Sequence, residues 1–286
     1  MSVMESFFDG VDTAFAWLAH GTKQTAESYC MVQTADSKTV LAADDGSLLS
    51  IIKIEGVNAL IGQEEYVRIH DGLLATFSAI MSRQGHSIQV FFDYDKSAAV
   101  SEIRENFAPV RQTIDRIGLA LDDVLAERQK VISDYCAAEK TYIVLWTTPA
   151  ILTTDERKRA QSEKARQMKS SEMPSFRYTQ NILAAMPALR DAHDAFVTSV
   201  LEDMKSLGMI VKLLSAHQAV RAMRMSVDPE FTDKAWQAVL PGDKIRPKVA
   251  NRQEGDISDI LWPSLAKQIL PRDAKNLDLK TVEIGD

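Results

Sequence analysis

The chain has 286 residues, is 45% hydrophobic and 26% charged, and carries a net charge of -7. Such a chain buries a core without staples, and its acidic balance gives it no overall bias toward nucleic acid or an anionic membrane surface. No apolar run reaches the length of a membrane span, the N-terminus lacks the basic start of a secretion signal, and Cys30 and Cys136 form no CxxC pair; these features together predict a cytoplasmic protein with reduced thiols.

Phe7, Phe8, Val11, Phe15 and Leu18 follow helical spacing, with Trp17 alongside, and predict a short amphipathic helix within residues 1–22. It reads either as a helix packed on its own domain or as an arm that meets a partner or a membrane. Asp44-Asp45-Gly46 lies between the runs Thr39–Ala43 and Ser47–Val57, the signature of a hairpin. Glu64–Met81 is a helix with Tyr66, Ile69, Leu73, Phe77 and Ile80 on one stripe. After Gly85, Ile88, Val90, Phe92 and Tyr94 alternate with polar residues and read as a strand.

Val100, Ile103, Phe107, Val110, Ile114 and Ile117 predict a helix that Pro109 should kink or divide. A further helix spans Leu121 to Tyr135. The run Thr141–Trp146 has the continuous apolar character of a strand covered on both faces, and so a central place in a sheet. Residues 153–177 differ in kind, with seven basic residues, Arg157, Lys158 and Arg159 among them, against four acidic ones and weak apolar periodicity. They read as an exposed, partly helical or mobile insertion.

Ala192, Phe196, Val200, Met204 and Leu207 form a helical stripe, followed by a strand over Met209–Leu214 and a helix capped by Ser215. Residues 241–286, with Pro247, Pro263 and Pro271, read as an irregular connector that ends on the apolar-alternating run Leu277–Ile284. The expectation is an α/β, or mixed α+β, domain over residues 23–240. Its sheet is built from the entry hairpin plus helix-separated strands, and helices pack on it.

Local motifs for chemistry are missing. No glycine precedes a lysine, so there is no Walker A loop, and no GxG, HExxH or GxSxG occurs. Arg190-Asp191-Ala192-His193-Asp194 places a histidine beside carboxylates, which reads as a base with its orienting group or as a solvated helix face; the second reading is preferred. The basic stretch 157–169 reads in the same way as a phosphate-contacting or a solvated face, again with the second preferred.

Several segments resemble the conjugation ATPases of type IV secretion systems, nearest the IcmB/DotO/TraU branch. They include KQTAESYC at Lys23–Cys30, DDGSLLSIIKIEGVNALIGQEEYVRIHDGL from Asp44 and FFDYDK at Phe91–Lys96. YCAAEKTYIVLWTTP at Tyr135–Pro149, FRYTQN at Phe176–Asn181, DPEFTDKAWQAVLPGDKI at Asp228–Ile245 and LDLKTVEIGD at Leu277–Asp286 continue the likeness in register. The resemblance implies a non-catalytic N-terminal domain that docks on the inner-membrane secretion complex and takes part in a hexameric assembly. ATP and magnesium would belong to a C-terminal motor domain beyond Asp286, so no cofactor or catalytic residue is expected in this chain. Candidate partner contacts are Phe7, Phe8, Phe15 and Trp17 of the first helix and Arg157, Lys158 and Arg159 of the insertion. Two other readings stand beside this one. A standalone enzyme would need a pocket gathering His193 or Cys136 with a carboxylate. A nucleic-acid contact would run through residues 157–169.

Overall fold

The computed structural model describes residues 30–82, 84–95, 98–170, 180–228, 231, 233, 235–243 and 263–270. The aromatic helix expected within 1–22 and the alternating run Leu277–Ile284 lie outside them.

The entry hairpin forms where its turn residues allow it. Gly46 takes φ 92°, a conformation that a Cβ disfavours. The Asp45 carboxylate accepts hydrogen bonds from the Ser47 amide and hydroxyl, both at 2.8 Å. Strand β2 (Leu41–Ala43) thus folds back onto β3 (Leu48–Val57), with Leu41 opposite Leu49, and β1 (Val32–Ala35) pairs with the other side of β2.

The chain then runs through α1 (Gln63–Met81), β4 (His86–Asp95), α2 (Ala98–Ile117), α3 (Asp122–Tyr135) and β5 (Ala138–Thr147). It continues through α4 (Thr154–Ser170), α5 (Arg190–Ser206), β6 (Met209–Leu213), α6 (Ala216–Val227) and α7 (Leu265–Ile269). The sheet order is β1-β2-β3-β5-β4, with β6 also on β3, and every pairing is antiparallel. It follows that β3 and β4 run parallel with β5 between them, and that β5 and β6 run parallel with β3 between them. The crossovers are α1 and α5. This is the split β-α-β arrangement of ferredoxin-like folds, in the strand order β6-β3-β5-β4. The α2–α3 hairpin is inserted between β4 and β5.

Both crossover helices lie on one face. Ile69, Leu73, Phe77 and Ile80 of α1 and Phe196, Val197, Val200 and Met204 of α5 enclose Ile52, Ile143, Leu145 and Met209. On the opposite face, Leu49 and Ile51 pack against Ala219 and Val220 of α6 and Leu265 and Ile269 of α7, with Tyr142, Val144 and Trp146 half-buried beside them. A third cluster joins Val40, Ala42 and Leu48 to Ala184, Met186 and Leu189. Buried Gln180 links three segments: it accepts from the Thr34 hydroxyl and donates to the carbonyls of Val239 and Pro263.

The mixed α/β class and the central place of Thr141–Trp146 agree with the sequence reading. Two expectations change. Pro109 does not divide α2, which runs unbroken from Ala98 to Ile117. Pro109 is exposed, so the backbone bond that it forgoes is not lost in an apolar interior. Within 241–286, Leu265–Ile269 is a short helix capped by the Ser264 hydroxyl and buried against the sheet, and that part belongs to the packed domain rather than to a connector. The i, i+4 spacing of Leu265 and Ile269 is the signal that carried it.

Candidate functional site

Residues 154–170 are a helix with a docked side. Thr153 and Glu156 form its capping box: the Thr153 amide and hydroxyl donate to the Glu156 carboxylate at 2.9 and 2.7 Å. These bonds hold the Glu156 carboxyl below its usual range. Arg157, Ala160 and Lys164 share the inner side. Arg157 Nε donates to the Pro149 carbonyl at 3.1 Å, Ala160 packs on the third cluster, and Lys164 Nζ donates to the Ala184 carbonyl at 2.6 Å. Burial lowers the Lys164 pKa, against the pull of Asp45 and Asp44. Of the expected exposed, partly helical or mobile insertion, Thr154–Ser170 is helical and anchored on this side, and Arg157, a candidate partner contact, is half-buried with its Nε held by the Pro149 carbonyl. The sequence hid this because the anchors are basic side chains bonded to carbonyls, which leave no apolar period. Lys158 and Arg159 are exposed, as are Arg166 and Lys169. Helical spacing places all four on the side away from the anchors.

The cluster around His193 is taken apart by the fold. Arg190 leaves it to bind Asp36, with Nη2 at 2.6 Å and Nε at 2.9 Å from the carboxylate oxygens. The same hydrogen bond raises the Arg190 pKa. His193 is fully buried, which corrects the reading of a solvated face. Residues 193, 196, 197, 200 and 204 line one side of α5, so the stripe itself contained the histidine.

The bonding around the ring has one direction. The Ser50 hydroxyl donates to the Thr39 carbonyl at 3.0 Å, so its oxygen receives the His193 Nε2 proton at 2.9 Å. His193 Nδ1 then accepts from the Thr147 hydroxyl at 2.9 Å. The Thr147 oxygen accepts from His86 Nδ1 at 3.2 Å. This assignment keeps His193 neutral. Burial, and after it the neighbouring His86, push its pKa down to about 4, while Asp36 pulls the other way. Ser50 and Thr147 are buried as well. The chain is internal wiring between β3, β5 and α5, and the ring's partners are hydroxyls rather than a carboxylate. Cys136 is exposed just past α3, and neither cysteine is in a disulfide. Among the described residues, no group of three or more His, Cys, Asp or Glu side chains could hold a metal ion, and no helix is long and apolar enough to cross a membrane.

The surface also carries large apolar side chains. Val90, Phe92 and Tyr94 of β4 are exposed, and so are Tyr66, Val67 and Leu74 of α1. The α2–α3 hairpin buries Ile114 and Leu125 but exposes Val110, Ile117, Val124, Val131 and Tyr135. None of its residues belongs to the three core clusters. Sequence patterning places these residues on helix and strand faces without telling which faces are left uncovered. No protein-family model matches the chain, and a comparison with curated proteins returns no match.

Proposed function

We propose that this chain is a docking and assembly region of a type IV secretion ATPase, held at the cytoplasmic side of an inner-membrane complex. Its ATP and magnesium chemistry would belong to a separate motor domain. The observation that carries the reading is the apolar surface of the α2–α3 hairpin. Side chains of core type stand exposed on two successive helices, and exposed apolar patches of this kind mark interaction sites. The outward basic side of α4 offers a second, polar contact. The segments quoted above add the type of partner, through their resemblance to the secretion ATPases.

Two variants of the chain test the proposal by co-purification with the membrane complex. One deletes residues 1–22. The other carries Val124→Asp and Val131→Asp, both at exposed positions. A contact centred on the hairpin loses about tenfold or more in affinity when charges enter it. Recovery of both variants at the wild-type level removes the docking reading.

A further inference from the structure

β4 ends the sheet. β5 holds one of its edges, and no described strand holds the other. Natural sheets keep such edges from pairing by making them short, by bulging them, or by placing proline or lysine on them. This sheet uses those devices at its other edges. β1 has four residues and a register shift between Val32 and Thr34. β6 has five residues, carries Lys212 and lies opposite a register shift at Ile54/Gly56. β4 is neither short nor bulged and carries no proline or lysine, and its acidic residues, Asp93 and Asp95, sit at its C-terminal end. It runs for ten residues, contains no Pro, Lys or Arg, and keeps unbroken register from His86 opposite Thr147 to Asp95 opposite Ala138. Along one face, Val90, Phe92 and Tyr94 remain 60%, 57% and 59% exposed. An edge that is long, regular and apolar is built to be paired.

We propose that β4 is a dimerisation edge, on which a second copy of this chain lays its own β4 antiparallel and joins the two sheets into one. A strand meeting itself about a two-fold axis is self-complementary by construction. Charge selects both the occupant and the register. The chain is acidic overall, yet Ser87–Phe92 bears no charge, so like chains meet through a neutral window. With the axis at Val90, Ile88 faces Phe92 of the second copy and Tyr94 faces its His86. Asp93 and Asp95 then fall opposite Ser87 and Gly85. An axis at Asp93 would set two carboxylates against each other, which destabilises a strand pair. This inference goes beyond the proposed function and rests on β4 alone: a two-fold edge closes at two copies and does not itself build a ring. A monomer would end it without touching the docking test.

Sedimentation equilibrium on the full chain, together with cysteine cross-linking, decides the matter. The expected result is a dimer at micromolar concentration. Val90→Lys with Phe92→Lys should raise its dissociation constant at least about tenfold, with the circular dichroism spectrum unchanged because both positions are exposed. In a Cys30→Ser, Cys136→Ser background, Val90→Cys should cross-link to its own copy through a short reagent, whereas Tyr135→Cys, at the C-terminal end of α3 and away from the two-fold axis, should not. A monomeric wild type, a dimer indifferent to both lysines, or no cross-link at position 90 overturns the proposal. If the lysine variant fails to fold, the cross-linking result stands as the test.

Discussion

At the scale of single residues, His193 sets a pH dependence. Unfolded, its imidazole protonates near 6.5; folded, it does so at about 4. Between those values the unfolded chain binds more protons, so stability rises with pH. The contribution is complete above pH 6.5 and is lost as pH falls toward 4, on the order of 3 kcal/mol across the window. Urea midpoints measured from pH 4.5 to 7 should show this loss. His193→Gln should flatten it, because an amide can still donate toward Ser50 and accept from Thr147 without titrating. A curve equally steep in the variant would assign the dependence to other groups. Gly85 and Gly118 offer a second contrast. Both have positive φ, but a Cβ on Gly85 would run into the Ile151 backbone, whereas one on Gly118 would meet open space. Gly118→Ala should cost about 1 kcal/mol. Gly85→Ala should cost roughly 3 kcal/mol or more, read from thermal or urea unfolding.

At the scale of elements, the α2–α3 hairpin is an addition to the sheet rather than part of its frame. Asp95 and Ala138, at its two ends, are register partners across β4 and β5. Replacing residues 96–137 with an Asn-Gly turn should therefore leave β4 and β5 paired as an ordinary hairpin. The variant should melt cooperatively with a loss of no more than about 3 kcal/mol, and failure to fold would show that the insertion holds the core. The helices themselves were legible in sequence, since α1, α2, α3 and α5 all follow apolar spacing. The strand at β4 was legible too, from Ile88, Val90, Phe92 and Tyr94. That this strand lies at an edge with a bare face was not. Alternation reports a period, whereas coverage depends on where α1 and α5 come to rest. In α4 the reverse holds: the anchors Arg157 and Lys164 work through carbonyls, so a docked helix looked like a solvated one.

At the scale of the whole molecule, the mixed α/β class followed from strands separated by helices. The antiparallel order β6-β3-β5-β4 did not, because it is set by pairings between distant residues, such as Ile52 with Leu213. The apolar run of β5 suggested burial on both faces; Ile143 and Leu145 are buried on one face, while Tyr142, Val144 and Trp146 on the other are half-buried. β3 is the strand on which the others converge, and its Ile52–Val57 edge is closed only by β6. Roughly 150 residues separate those partners, so a ribosome adding 5–20 residues per second makes β6 roughly ten to thirty seconds after β3. Until β5 is made both flanks of Ile52–Ile54 are open, and from then until β6 is made one of them still is. An open strand flank is a template for other chains, so the emerging protein needs shelter from its neighbours at least until β6 has been made.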